Sequence, residues 1–494
     1  MPERMATATN PRAHAAVGSV LQIAARIGVL FLSLVLMGYL TRRLGMEGYG
    51  HYAVAVVLIN WLAISIAVAT GGATVRLVAG EEDGHRYAVS MVQLVGLLAT
   101  TLGVLIALTA QPLSDLLRSP GIAPLLRILS VDFAAGTVAG IYASILVAQG
   151  RYGLSALTAL VGTATQLLAA FIFIEQGFLA AGACWAVVTG GVVQLIVGRW
   201  ASGVAFFSRE RVPFADLWGR TRILAGAQLA LRITQSMDLL AVKFFDRSSS
   251  FAGLYAGGQN ISHAGFMLFG TTQSVFLQSM TKSRRNGNPG EAARTGTLYL
   301  RVALTYGAML CALSVLSGEI VILLLGPAFK ESGSILALLL WAVAFRLLAA
   351  TGRTLIAAVG EKISIMLPLV LLIVLGLIAY AIAIPRAGIT AAAFVALGLA
   401  VAAGITSLRE GLKLMAMPFP WLSLTKIAAA ALLTAGFAWF LPGTGWLLIV
   451  KLIVSCLLYA ALLFAFNEWR PTRQQLAALH AALLGSSARA STRQ

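Results

Sequence analysis

The hexapeptides Gln22-Ile23-Ala24-Ala25-Arg26-Ile27 and Gln228-Leu229-Ala230-Leu231-Arg232-Ile233 carry the same Gln-x-x-x-Arg pair, 206 positions apart, inside two otherwise apolar stretches. Spacing of four puts each glutamine and arginine on one helix face, and Gln235 extends the second stripe. An arginine in hydrocarbon is costly, so its repetition at matched places points to a polar, anion-attracting site between two repeats. Guanidinium groups are permanently charged and hold phosphate oxygens through two parallel bonds, which makes a phosphate-bearing anion the expected ligand. The plainer alternative is that each arginine snorkels to an interface or pairs with an acid, as Arg232 could with Asp238.

Asp238 and Asp132 are the acids deepest in apolar segments, and each reads either as a proton or sodium coupling site or as the partner of a nearby arginine. The run Gly257-Gly258-Gln259-Asn260-Ile261-Ser262-His263 is unusually polar for a membrane helix. It suits a wet cavity, with helix-to-helix hydrogen bonding as the alternative. Arg346 and Asn60 are further cavity candidates, and Arg301 reads as an interfacial anchor. His263 lacks a metal-ligand partner at helical spacing and reads as part of the polar face at 257–263; no metal and no cofactor is expected, beyond proton or sodium coupling. Neither Gly-x-x-x-x-Gly-Lys-Ser/Thr nor His-Glu-x-x-His occurs, and no Ser/His/Asp set gathers in one region. An enzyme is not expected, and transport would draw on an ion gradient, the membrane potential or the substrate gradient.

The elements that must position these groups follow from composition. Of 494 residues, 59% are hydrophobic and 11% charged, against about 25% charged in ordinary soluble domains. Apolar runs long enough to cross a membrane recur along the chain, and strand-period alternation is missing, which excludes a barrel. Fourteen spans are predicted: 17–40, 51–71, 88–110, 122–148, 154–174 and 178–199; then 223–245, 251–279, 297–325, 332–357, 363–384 and 388–408; then 421–441 and 443–466. The first is read as a retained span, because no short apolar region followed by a small-residue cleavage site precedes it. Cys184, Cys311 and Cys456 fall inside spans and read as packing residues.

The net charge of +18 would suggest nucleic acid in a soluble protein, but here the basic residues sit mostly in short loops. With the N-terminus in the cytoplasm, about 23 Lys and Arg fall inside and about 8 outside, the bias that sets membrane orientation. An even span count returns the tail to the same side. The halves also repeat one another: Gly50-His51-Tyr52-Ala53 corresponds to Gly253-Leu254-Tyr255-Ala256, and Ala148-Gln149-Gly150 to Ala358-Val359-Gly360, at nearly one offset. Six spans per half is even, so the repeats run parallel, and a site between them could open to either face. The expected fold is an all-α polytopic membrane protein of two parallel six-helix bundles plus two C-terminal helices. Its parts are an N-lobe at 1–205, a cytoplasmic linker at 206–222, a C-lobe at 223–412, two more helices at 413–466 and a cytoplasmic tail at 467–494.

The segment Thr41-Arg42-Arg43-Leu44-Gly45-Met46-Glu47-Gly48-Tyr49-Gly50-His51-Tyr52-Ala53 resembles the loop between the first two helices of Wzx-type polysaccharide exporters, within the multidrug/oligosaccharidyl-lipid/polysaccharide (MOP) flippase superfamily. Ser236-Met237-Asp238-Leu239-Leu240, Leu325-Gly326-Pro327-Ala328-Phe329 and Ile384-Pro385-Arg386-Ala387-Gly388-Ile389 extend the resemblance over roughly residues 15–465. It implies alternating-access flipping of an undecaprenyl-diphosphate-linked oligosaccharide across the bacterial inner membrane, with Arg26 and Arg232 in suitable places to meet the diphosphate or acidic sugars. Membrane lipids, a polysaccharide polymerase and glycosyltransferases are the implied partners. Within the superfamily the competing readings are a lipid II flippase and a MATE-type drug or cation antiporter. From another class, the competitor is a non-transporting assembly subunit of a polysaccharide synthase.

Overall fold

The computed structural model describes residues 11–80, 83–207, 212–246, 248–360, 366–441, 445 and 447–469. The side chain of Gln22 and the tail from residue 470 lie outside the described residues. Among the described residues thirteen α-helices run in chain order: α1 Pro11–Gly80, α2 Gly84–Leu116, α3 Ile122–Ala148, α4 Tyr152–Glu175, α5 Leu179–Ser202, α6 Phe214–Asp246 and α7 Ser249–Arg285. They continue with α8 Pro289–Leu313, α9 Ser317–Leu325, α10 Ser332–Val359, α11 Met366–Leu414, α12 Trp421–Phe440 and α13 Leu447–Ala465.

Two of these helices each contain a reversal. A straight helix of 70 residues such as α1 would be about 105 Å long, far beyond a hydrocarbon core of roughly 30 Å. Gly45 breaks it with φ 67° and ψ −175°, a backbone state that glycine adopts without steric cost. Ala387 and Gly388 break the 49-residue α11 in the same way, one residue after Arg386 and two after Pro385. Each arm then crosses once, and α8 with α9 forms one crossing interrupted by a 3-10 turn at Ser314–Leu316. Ten segments are long and apolar enough to span a membrane, with 24–79 and 369–414 each doubling back. The helices α6 and α7 are long enough to cross, at 33 and 37 residues, but are more polar than the rest. The described residues form an all-α, multi-pass membrane fold with about fourteen crossings by helix length.

Alternation of crossings puts the turns near 81–83, 149–151, 203–213 and 286–288 on one side of the membrane, called here the linker face. The turns near 45, 117–121, 176–178, 247–248 and 326–331 lie on the opposite face. Helix α6 begins at Phe214, inside the stretch 206–222 expected to be linker. Burial explains the early start: Leu217 is 1% exposed and joins Met91, Tyr142 and Val204 in an apolar core of the N-terminal half.

The apolar cores show how the two halves meet. Near the opposite face a single core runs through both, from Leu36, Tyr49 and Ile122 to Val242, Tyr255, Phe329 and Leu336. Toward the linker face the cores are separate, one built on α1, α2 and α3 and another on α8, α10, α12 and α13. The halves therefore close together at the opposite face and part toward the linker face, where the start of α6 leans on the N-terminal half. Helices α12 and α13 pack on α8 and α9, tied there by Lys451 Nζ to the Glu319 carboxylate at 3.1 Å and by Tyr459 Oη donating to the Thr305 carbonyl at 2.9 Å. Arg301, expected as an interfacial anchor, donates its Nε to Glu468 Oε1 at 2.8 Å and lies over the Trp469 ring.

Candidate functional site: a basic cleft between two repeats

The seam that closes the opposite face is built from the repeated motif itself. A Cβ placed on Gly50 would lie 2.0 Å from the Ser249 carbonyl oxygen, and one on Gly253 would lie 1.9 Å from the Met46 carbonyl oxygen. Gly50 and Gly253 are 203 positions apart, as are Met46 and Ser249, so the two contacts are the same contact made twice about a pseudo-twofold axis. Glycine is required because only a missing side chain lets the two backbones approach so closely. Side chains add four bonds across this seam. Asn260 Nδ2 donates to Tyr49 Oη at 2.8 Å, Thr41 Oγ1 to the Leu325 carbonyl at 3.1 Å, and Arg42 Nη2 to the Leu323 carbonyl at 2.7 Å. Lys243 Nζ donates to Ser249 Oγ at 2.6 Å, which leaves the hydroxyl proton for His51 Nε2, 2.8 Å away.

Below the seam, the functional candidates of the two halves lie on corresponding helices. Arg26 lies 19 residues before the Gly45 break and Arg232 lies 14 before Asp246, about 28 and 21 Å along their helices from the opposite-face ends. Asn60 and His263 are related by the same 203-residue offset as the glycines. Arg26 and Asn60 are exposed on the two arms of α1, while Arg232 and His263 are half-buried on α6 and α7. Among the elements of the N-terminal half, α1 makes the main contact with α6 and α7, so these four residues sit on the helices that flank the parting between the halves. The His263 imidazole hydrogen-bonds to the Gln235 backbone and lies within electrostatic reach of Arg232 and Arg346. Gln228 is half-buried on the Arg232 face, one helical turn earlier.

The other candidates separate from this group. Asp238 is 1% exposed and accepts from Tyr255 Oη at 2.9 Å, Gln259 Nε2 at 2.6 Å and the Leu239 amide at 3.0 Å. Its ion-pair partner is Arg346 of α10, with Nη2 at 3.7 Å from Oδ2, and not the Arg232 that sequence spacing suggests. Gln259 is therefore committed to Asp238 and Asn260 to the seam, which accounts for both polar residues by helix-to-helix bonding. Asp132 of α3 faces α5, where a Cβ on Gly191 would lie 2.2 Å from Oδ1, and it has no ion pair among the described residues. Three groups went unmarked in the sequence. Tyr255 sits inside the repeated Gly-x-Tyr-Ala motif, and Tyr380 of α11 gives no local signal. Arg353 follows Arg346 by seven residues, two turns along one helix face, a spacing that could have revealed it.

The same fold occurs in solved structures of the MOP superfamily. It resembles the lipid II flippase MurJ in an inward closed conformation, with a TM-score of 0.75 and 16% identity over 92% of this chain and 99% of that one. It also resembles MATE-family multidrug resistance transporters of the MOP superfamily: an inward-facing one with TM-score 0.67 and 15% identity over 81% of this chain and 98% of that one. An outward-facing one gives TM-score 0.62 and 16% identity over 83% and 97%. No curated protein matches the sequence. Residues 17–276, more than half of the chain, match the polysaccharide biosynthesis protein family, and the chain belongs to that family.

Proposed function

We propose that the chain is a flippase that moves an undecaprenyl-diphosphate-linked oligosaccharide from the cytoplasmic to the periplasmic leaflet of the bacterial inner membrane, for assembly of a surface polysaccharide. The linker face is cytoplasmic in this reading, as the bias in Lys and Arg requires. The observation that supports it most is that Arg26 with Asn60 and Arg232 with His263 lie on α1, α6 and α7, the helices through which the two halves meet. A lipid-borne diphosphate presents the oxygens that two guanidinium groups bind best, while its hydrocarbon tail stays in the bilayer. Family membership in polysaccharide biosynthesis supports a saccharide cargo over a drug. The two basic matched positions also disfavour a cationic substrate.

Transport then consists of rocking the halves about an axis in the membrane plane, breaking the Gly50–Gly253 seam and closing the linker face. Asp132 and Asp238 are the acids placed for proton or sodium coupling. Asp238 already has a guanidinium against it, which leaves Asp132 the freer of the two. Arg26→Ala and Arg232→Ala should each abolish polymer export in a strain lacking the chromosomal copy, at normal protein abundance. Arg→Lys at either site should restore export only in part, because charge is kept and the bidentate fork is lost. Full export by both alanine variants would remove the reading.

A further inference from the structure

A second basic cavity lies wholly inside the C-terminal half, separated from the parting between the halves by α6. Gln235 of α6, Arg346 and Arg353 of α10, and Tyr380, Ala396 and Ala400 of α11 line it. Small side chains on α11 leave the space, and the two arginines supply its charge. At 1.5 Å per residue the guanidinium-bearing positions are about 10 Å apart along one face of α10.

The groups around this cavity have unused bonding capacity. Arg346 reaches Asp238 with Nη2 alone, at 3.7 Å, and its buried Nη1 has no hydrogen-bond partner. Arg353 has neither a hydrogen bond nor an ion pair among the described residues, and only Tyr299 of α8 lies within electrostatic reach. The Tyr299 hydroxyl, by contrast, is within hydrogen-bonding reach of Thr351 and Thr354. Buried polar groups are nearly always satisfied, so the spare guanidinium edges of Arg346 and Arg353 on one wall mark a site whose ligand is not part of the chain. With two guanidinium groups and one carboxylate, the wall keeps a positive charge that a compact oxyanion would balance.

We propose that this cavity binds a phosphate-class dianion, with Arg353 and the free edge of Arg346 as its charged grips and the Gln235 amide as a neutral donor. The same chemistry is offered by a lipid-linked diphosphate headgroup and by free inorganic pyrophosphate. Binding draws Arg346 away from Asp238, whose carboxylate is then held by Tyr255, Gln259 and the Leu239 amide alone. The inference deepens the flippase reading only if the headgroup is the ligand; with the free anion it stands independently.

The test is calorimetric titration of pyrophosphate into the full-length protein in lipid nanodiscs. Saturable binding is expected in the wild type, weakened about tenfold or more by Arg353→Ala and by Arg346→Gln, as for loss of a charge-assisted bond. It should persist in the Arg26→Ala/Arg232→Ala double variant, which leaves this cavity intact. Arg353→Ala removes a side chain with no hydrogen bond or ion pair among the described residues, and unfolding temperature is followed alongside to check folding. Competition by undecaprenyl diphosphate included in the nanodisc assigns the site to the headgroup; its failure to compete assigns it to the free anion. Absence of saturable binding, or binding lost in the Arg26/Arg232 variant but kept in Arg353→Ala, overturns the proposal. Pyrophosphate binding that survives in a protein unable to translocate lipid-linked saccharide would overturn the flippase reading and leave this one standing.

Discussion

Gly253→Ala is the perturbation whose effect can be worked most directly from the geometry. The new methyl would sit 1.9 Å from the Met46 carbonyl oxygen and 2.9 Å from its carbon, both backbone atoms of the other half. An ordinary carbon-to-oxygen contact is about 3.3 Å or more, so the backbones must separate by more than about 1 Å. Overpacking of this kind costs about 1–3 kcal/mol. The clash exists only while the seam is closed, so the cost is borne by that state alone. The equilibrium should then move toward the seam-open state by about 5- to 150-fold. Spin labels at positions 118 and 330, exposed on opposite halves at this face, would report the change as a longer component in the distance distribution. Gly50→Ala should do the same, because its methyl would meet the Ser249 carbonyl oxygen at 2.0 Å. If both variants keep the wild-type distances and unfolding temperature, the pseudo-twofold glycine contact does not hold the halves together.

Other expectations follow from particular bonds. Ser249→Ala removes the hydroxyl between Lys243 and His51 and should lengthen the 118–330 distance without any added bulk; an unchanged distribution would exclude that bridge from the seam. Asp238→Ala leaves buried Arg346 without its carboxylate and should lower stability by about 3–5 kcal/mol, read as a fall in unfolding temperature, while Asp238→Asn/Arg346→Gln together should recover much of it. Equal loss in the single and double variants would show that the pair is not coupled. Glu319→Gln should loosen the α9–α13 contact by weakening its bond to Lys451, seen as faster hydrogen exchange in α13 with export unchanged.

Much of this architecture was legible because membrane helices announce themselves. Apolar runs gave the crossings, and Gly-rich breaks at Gly45 and Gly388 gave two of the reversals. The repeat was visible as Gly50-His51-Tyr52-Ala53 against Gly253-Leu254-Tyr255-Ala256, but sequence could not say that the two copies touch each other. That contact depends on how the bundles dock, which no local pattern encodes. The early start of α6 was hidden for a similar reason. Phe214 and Leu217 lie among charged residues that read as linker, and only their burial against α2 makes them helical core.

At the polar run 257–263 the sequence does not show which groups the side chains meet. Gln259 and Asn260 looked like cavity lining because membrane helices rarely carry adjacent amides. Tertiary bonds to Asp238 and Tyr49 absorb both. Asp238 itself was tied by spacing to Arg232, six residues away on the same helix, whereas its partner comes from α10, more than 100 residues on. Charged pairs inside a bundle are chosen by helix packing, so proximity in sequence is a poor guide to them. Arg353 shows the converse, since its i, i+7 relation to Arg346 was present in the sequence and went unused.

The central claim is that a lipid-linked anionic saccharide crosses through the parting between the repeats, held by Arg26 and Arg232. Its most direct test is translocation in proteoliposomes, with an undecaprenyl-diphosphate-linked oligosaccharide placed in one leaflet and its appearance in the other read by an impermeant lectin. The wild-type protein should move the lipid, and Arg26→Ala and Arg232→Ala should reduce the rate to that of empty vesicles. Wild-type protein without translocation above empty vesicles, or both variants at the full wild-type rate, would contradict the account.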